Sequence, residues 1–176
     1  MKLIILDRDG VINEDSDDFI KSPDEWIPIP GSLDAIARLN HMGYRVVVAT
    51  NQSGITRGLF DLETLNCIHK KMHQMVQNAG GLIDAVFFCP DMDDANRNRK
   101  PHPGMLLAAG DRLKCNLRDV PMVGDSVSDI RAARAANARP FLVRTGKGIK
   151  TLEQEKELCA TVQTFDNLAA VADYLT

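Results

Sequence analysis

Short apolar runs alternate with longer amphipathic stretches along the whole chain. Leu3–Leu6, Arg45–Ala49, Ala85–Cys89, Pro121–Val123 and Phe141–Val143 are β-branched or apolar with little alternation, the pattern of strands buried on both faces. Helical periodicities with their own start and stop signals fill the gaps. Ser32 is placed to cap a helix running toward Gly43, and Asp61 to cap one running to Gly80 and Gly81. Further helices are predicted to open near Pro103 and Gly104, after Asp125, and over Asn167–Leu175. Strands that alternate with helices imply right-handed crossovers and a parallel sheet covered on both sides, an α/β architecture. No Pro/Gly/Ser linker, repeat or low-complexity tract divides the chain, so residues 1–176 read as a single domain. In such sheets ligands bind beyond the carboxyl ends of the strands. The residues that follow each strand are therefore where chemistry is to be sought.

Four of those positions carry polar clusters. After the first strand comes Asp7-Arg8-Asp9-Gly10, in which one carboxylate is able to attack phosphorus while the other hands a proton to the leaving oxygen. An acidic turn closing a strand explains the same residues equally well when they are taken alone. Thr50-Asn51-Gln52-Ser53-Gly54, with Arg57 and Gly58 behind it, offers hydroxyl, amide and backbone N–H groups suited to phosphate and sugar oxygens, or simply to its own turns. Arg99-Lys100-Pro101-His102-Pro103-Gly104 brings two cations to the start of a helix, with His102 read as an exposed spacer. Gly124-Asp125-Ser126-Val127-Ser128-Asp129 places two carboxylates one helical turn apart, as metal ligands or as helix-capping groups. Each cluster has a bland explanation; the set does not. A nucleophile, a proton donor, metal ligands and cations at one sheet edge are the requirements of phosphoryl transfer.

Composition narrows the classes further. A formal net charge of -3 supplies no electrostatic footprint for nucleic acid or an anionic membrane. No apolar run approaches the roughly 20 residues that span a bilayer, and Asp7, Arg8 and Asp9 interrupt the opening apolar stretch before a signal-peptide core can form. The four cysteines, Cys67, Cys89, Cys115 and Cys159, lack any Cys-x-x-Cys pair and read as free thiols of a cytoplasmic protein.

The four clusters resemble the four motifs of the haloacid-dehalogenase superfamily of phosphatases. Within it the chain is similar to the D,D-heptose 1,7-bisphosphate phosphatase subfamily, close to the histidinol-phosphatases. The likeness covers nearly the whole chain and includes Pro30-Gly31, Arg57-Gly58, Arg99 through Met105, and Val143-Arg144-Thr145-Gly146-Lys147. It implies a Rossmann-like three-layer sandwich with strand order 5-4-1-2-3 and no large cap domain. It implies Asp7 as nucleophile and magnesium ligand, Asp9 as general acid/base and magnesium ligand through its carbonyl, and Asp125 as the remaining ligand, with Asp129 in support. Thr50 and Lys100 would hold the transferring phosphoryl; Asn51, Gln52, Ser53 and Arg99 would contact substrate; the flap Asp15, Ser16, Asp17 and Asp18 would border the sugar. The implied reaction is magnesium-dependent removal of the 7-phosphate of D-glycero-D-manno-heptose 1,7-bisphosphate by a monomer. Histidinol phosphate or another sugar phosphate is the alternative substrate, and a phosphosugar-binding protein without turnover is the alternative of another class.

Two features depart from the subfamily pattern. Its zinc loop carries Cys-x-His followed by Cys-x-Cys ahead of Arg-Lys-Pro; here Cys89 is retained, but Asp91, Asn96 and Asn98 replace the other ligands. One soft ligand does not make a closed tetrahedral zinc site, so no zinc is expected, and Pro90–Asn98 has to be held by hydrogen bonds or be mobile. A salt link among Asp93, Asp94 and Arg97 is one way to order it. The lysine usual after the last motif aspartate is Ser126 here, which removes a cation near substrate.

Overall fold

The computed structural model describes residues 1–176 in full. Six parallel strands form one sheet: β1 (Lys2–Leu6), β2 (Tyr44–Asn51), β3 (Ala85–Cys89), β4 (Pro121–Gly124), β5 (Arg139–Val143) and β6 (Gln163–Phe165), in the order β3-β2-β1-β4-β5-β6. The first five reproduce the expected order. The sixth was not expected, because Gln163–Phe165 is a three-residue edge strand with no apolar run of its own; it pairs with Phe141–Val143 and continues the sheet.

Helices α1 (Ser32–His41), α2 (Leu62–Asn78) and α7 (Leu168–Tyr174) cover one face. Their Ile36, Leu39, Ile68, Met72, Leu168 and Val171 pack with Ile4 and Leu6 of β1. Helices α3 (Gly104–Leu113) and α4 (Val127–Ala135) cover the other, where Met105, Leu106, Ala132 and Ala133 meet Leu3 and Ile5. The strict alternation along β1 thus feeds two cores, which makes the sheet the middle of three layers. Two short helices, α5 (Gly148–Gln154) and α6 (Lys156–Cys159), follow β5 and lay Cys159 beside Leu142. Neither had a strong periodicity to reveal it.

The helix starts differ from expectation in detail. Gly31, in a left-handed conformation, occupies the N-cap of α1, and the Ser32 hydroxyl donates instead to the Val11 carbonyl at 2.8 Å. Asp61 caps α2 as expected, accepting from the Thr64 N–H. Asp125 is not a cap: Ser126 takes that place on α4, in a reciprocal capping box with Asp129.

The connection from β1 to α1 spans residues 7–31 and holds only a short 3-10 helix, Pro23–Glu25, too little for a cap domain. Trp26, with no exposed surface, nails it to the α1/α2 core. Losing such a side chain typically costs about 3–5 kcal/mol. No helix is long and apolar enough to cross a membrane.

Candidate active site

The crossovers reverse direction between β1 and β4, whose neighbouring ends carry Asp7 and Asp125. This is the switch point at which open α/β sheets bind ligands. A cavity of about 360 Å3 opens there, and only Phe19 and Ile20 among its lining residues are hydrophobic. Such a wall suits a small, highly polar molecule rather than a lipid or an aromatic cofactor.

Asp7 continues β1 by one residue, its N–H donating to the Val123 carbonyl at 2.8 Å. One carboxylate oxygen, Oδ1, accepts from the Arg8 N–H at 2.8 Å and is paired with Lys100 Nζ at 2.9 Å; Oδ2 has no protein donor. Lys100 is buried and reaches three acceptors: Asp7, Asp129 Oδ1 at 2.6 Å and the Ala49 carbonyl at 2.8 Å. Burial alone would depress the lysine, but Asp129 and Asp7 raise it well above its ordinary value. One fixed cation therefore sits among several anions.

The carboxylate oxygens of Asp7, Asp125 and Asp129 gather within 4.8 Å of one another. Burial, then Asp129 and Asp9, push Asp7 up to about 7 against the pull of Lys100. Burial, then Asp129 and Asp7, push Asp125 up to about 8. A site this crowded with negative charge takes up either protons or a cation. Asp129 is already committed: Oδ1 receives Lys100, and Oδ2 receives the Asp125 and Ser126 N–H groups and the Ser126 hydroxyl. Asp125 uses only Oδ2, accepting from the Lys147 N–H at 2.7 Å. The free oxygens of Asp7 and Asp125, with the Asp9 carbonyl that accepts no hydrogen bond, are a hard-oxygen set that fits a small divalent cation.

Two glycines make room for this set. A Cβ on Gly10 would lie 2.0 Å from Asp125 Oδ2, and one on Gly146 would lie 2.2 Å from the same atom. Both have positive φ, and Thr145 ties the loops together by donating to the Gly10 carbonyl at 2.7 Å.

Asp9 lines the same cavity in different company. Burial favours its neutral form, yet the Arg8 charge and hydrogen bonds from Asn13, Arg8 and Gln52 hold it below the ordinary carboxylate range. Asn51, Gln52, Ser53, Arg99, Lys100, Asp15, Ser16 and Asp17 all line the cavity as expected. Two expected residues do not. Thr50 lies just behind the wall, its hydroxyl oxygen accepting from Gln52 Nε2 at 2.9 Å. Asp18 is exposed outside the cavity, because the turn in which its N–H donates to Ser16 Oγ carries it away.

Several wall residues had no role assigned from the sequence: Arg57, stacked 5.8 Å from the Phe19 ring; Lys147, paired with Asp15 at 3.4 Å; and Ser128. Arg57 and Lys147 were visible as cations in loops after strands. The left-handed backbone of Phe19 (φ 65°) was not.

The segment after Cys89 is knitted by side chains. Asp91 accepts from the Asp93 N–H and from Asn96 Nδ2, Asp93 accepts from the Ala95 N–H, and Asn96 accepts from the Asn98 N–H. The salt link is made by Arg99 to Asp94, at 3.1 Å, rather than by Arg97. His102 is no spacer, since its Nε2 donates to the Asp94 carbonyl at 2.8 Å.

Comparison with known proteins adds the chemistry of relatives. A family model described as HAD-hydrolase-like matches residues 97–171. The D-glycero-β-D-manno-heptose-1,7-bisphosphate 7-phosphatase of Bordetella bronchiseptica is 55% identical over 176 residues, covering 99% of this chain and 98% of its own. The same enzyme of Pseudomonas aeruginosa is 51% identical over 174 residues, covering 98% and 97%. The crystal structure of the B. bronchiseptica D,D-heptose 1,7-bisphosphate phosphatase, complexed with magnesium and phosphate, superposes with a TM-score of 0.96 at 55% identity, over 99% of this chain and 98% of that one.

Proposed function

The chain belongs to the heptose-1,7-bisphosphate 7-phosphatase branch of the HAD-like hydrolases, and from that membership we propose that it hydrolyses the 7-phosphate of D-glycero-D-manno-heptose 1,7-bisphosphate through an aspartyl-phosphate on Asp7. The meeting of Asp7, Asp9 and Lys100 on one polar cavity is the observation that carries the reading. A binding protein has no use for a nucleophile and a proton donor lining the same cavity.

An Asp7 oxygen attacks the 7-phosphorus. The bond from phosphorus to the sugar O7 breaks, and that oxygen takes a proton from Asp9, which the negative charge of the bound phosphate drives to its protonated form, leaving the free alcohol and the acyl phosphate. Water then attacks phosphorus, gives its proton to Asp9, and displaces the Asp7 carboxylate, which restores both residues. Lys100 holds Asp7 in place and faces the equatorial phosphoryl oxygens. The Thr50 hydroxyl, whose oxygen already accepts from Gln52, keeps its O–H to donate a hydrogen bond toward the phosphoryl group. Asn51, Ser53, Arg99, Asp15, Ser16 and Asp17 contact the sugar and its second phosphate. Asp7, the Asp9 carbonyl and Asp125 hold Mg2+, whose charge lets a carboxylate approach a phosphate dianion. Residues 1–176 act as one phosphatase domain and as a monomer, in the cytoplasm, without nucleic acid or membrane; the formal net charge of -3 and the free cysteines support that reading. Steady-state rates on both anomers of the heptose bisphosphate, beside histidinol phosphate, test the substrate. Faster turnover of histidinol phosphate would sink the assignment.

Three results are expected of the metal site. Asp7 and Asp125 titrate near 7 and 8 in the folded state against about 3.8 ordinarily. The native state thus binds more protons between those values, and this contribution to stability is present at low pH and lost as pH rises toward 8. Buried His69 runs oppositely, down to about 3 from 6.5, so its contribution is complete above pH 6.5. Metal-free protein should therefore melt lower at pH 8.5 than at pH 6.5, and millimolar Mg2+ should recover the loss. A flat profile, or no magnesium shift, refutes the charge crowding.

Gly146→Ala would drive a Cβ into the Asp125 carboxylate. It is expected to raise the Mg2+ concentration needed for half-maximal activity by about 10-fold or more, the scale at which disturbed ligand support acts. An unchanged magnesium titration would mean the loop simply yields.

The third result concerns zinc. The oxygens of Asp91 and Asn96 serve the turn hydrogen bonds of the loop, and three of the four thiolate or imidazole positions are filled by Asp or Asn. Elemental analysis should find no stoichiometric zinc; about one tightly held zinc per chain, lost together with activity, is the contrary outcome.

A further inference from the structure

Arg8, the residue between the two acids, has no exposed surface, so every donor of its guanidinium has to be answered from within. Nε and Nη2 both donate to Asp9 Oδ1, at 3.0 and 2.8 Å. Nη1 lies 3.2 Å from His69 Nε2. A guanidinium only donates, so Nε2 is the acceptor and the imidazole is neutral, with its proton on Nδ1. Burial, then the Arg8 charge, and more weakly His73, outweigh the upward pull of Asp9, hold the ring at about 3 and keep it neutral at any working pH. His69 is the polar residue on the buried face of α2, beside Leu65, Ile68 and Met72, and the Phe88 ring stands edge-on to it at 6.3 Å. Nothing in the proposed reaction uses it.

Its effect emerges at Asp9. Oδ1 receives a third donor from Asn13 Nδ2 at 2.9 Å, while Oδ2 receives only Gln52 Nε2, also at 2.9 Å. Gln52 and Asp9 line the cavity; Arg8, Asn13 and His69 do not. Oδ1 is thus saturated from the protein side, and Oδ2 is the oxygen left to exchange a proton with substrate or water.

We propose that His69 is a positioning residue for proton transfer: by holding the far end of the Arg8 guanidinium, it fixes the Asp9 carboxylate in the orientation that presents Oδ2 to the leaving oxygen. This rests on Asp9 being the general acid of the reaction above. Without an acceptor at position 69, Nη1 is left unpaired in the core and the guanidinium re-aims, taking Oδ1 with it. Misplacement of a reacting group by about 1 Å is enough to cost up to about 10²-fold.

The test uses full-length His69→Leu and His69→Gln, each alone, with Asp9→Asn and Asp9→Asn/His69→Leu as references. Each is assayed on heptose 1,7-bisphosphate and on p-nitrophenyl phosphate, with thermal melts for folding. His69→Leu should lose about 10- to 100-fold in kcat on the sugar phosphate with little change in KM, and less than about 3-fold on the aryl ester, whose leaving group needs no proton. His69→Gln, whose amide oxygen accepts from Arg8, should stay within about 3-fold of the parent on both. In the Asp9→Asn background the leucine substitution should cost nothing further. Should the leucine variant fail to fold, His69→Met carries the same expectation with a longer side chain. Equal losses on the two substrates, a glutamine variant as slow as leucine, or an additive loss in the double variant each overturn the proposal. If Asp9→Asn discriminates between substrates and His69→Leu does not, only the role of His69 falls; if Asp9→Asn itself does not discriminate, the acid assignment falls and takes this one with it.

Discussion

Asp7→Asn should fold, and turn over heptose bisphosphate at least about 10³-fold more slowly than the parent. Asparagine keeps the shape and can still accept from the Arg8 N–H, but it lacks the anionic oxygen that the proposed mechanism needs as nucleophile. Stability should move the other way. Burial and neighbouring carboxylates disfavour the ionised Asp7, and Lys100 keeps Asp129 as its partner when position 7 is neutral. Removing the charge therefore relieves repulsion, and metal-free Asp7→Asn should melt no lower than the parent at pH 8 and, on this account, higher. Catalytic groups commonly sit at such a stability cost. Turnover and melting measured on one preparation check both halves; near-normal turnover by a folded variant rejects the covalent route.

Asp9→Asn should show the opposite pairing. The loss should reach about 10²–10⁴-fold on the heptose phosphate, whose alkoxide leaving group needs a proton, and be much smaller on an activated aryl phosphate. Magnesium affinity should largely survive, since the contribution proposed for this residue to the metal is its backbone carbonyl. Stability, however, should fall. Asp9 is the counter-ion of a fully buried Arg8, and stripping a buried cation of its partner costs at most about 3–5 kcal/mol when no acceptor remains, less with the asparagine oxygen still present. Two carboxylates two residues apart would then respond to one substitution with melting shifts of opposite sign. Equal losses on both substrates in kcat/KM, which reports the step that breaks the bond to the leaving group, would count against the acid role.

The contrast between these acids explains what sequence reasoning reached and what it did not. Strands β1, β2, β4 and β5 were readable because burial on both faces leaves an apolar run, whereas β3, a sheet edge buried fully only at Cys89, was readable from its apolar Ala85–Cys89 run alone. The motif residues were readable because they end those runs. Edge strand β6 and helices α5 and α6 bury too little to leave such a pattern. Within the site, the residue types at Asp7, Asp9, Lys100 and Asp125 announce their chemistry, but the division of labour between Asp125 and Asp129 does not. Only the hydrogen bonds reveal that Asp129 has spent both oxygens and Asp125 has not. Arg8 and His69 had a signal that went unread: a polar residue at the 65/69/72/76 spacing of a buried helix face needs a buried partner, and an arginine between two strand-end acids needs one too.

Strand β1 is hydrogen-bonded on both sides, to β2 and β4, and covered by a core on each face. Asp7 extends that ladder. Freeing its backbone from the ladder requires dismantling the centre of the molecule, so the Asp7 amide should exchange its hydrogen only as often as the whole protein unfolds. The Asp15–Asp17 flap and the Arg99 loop are anchored by exposed turns and surface ion pairs, and they can open far more cheaply. The enzyme is thus able to admit and release substrate many times between unfolding events without disturbing Asp7, the proposed nucleophile.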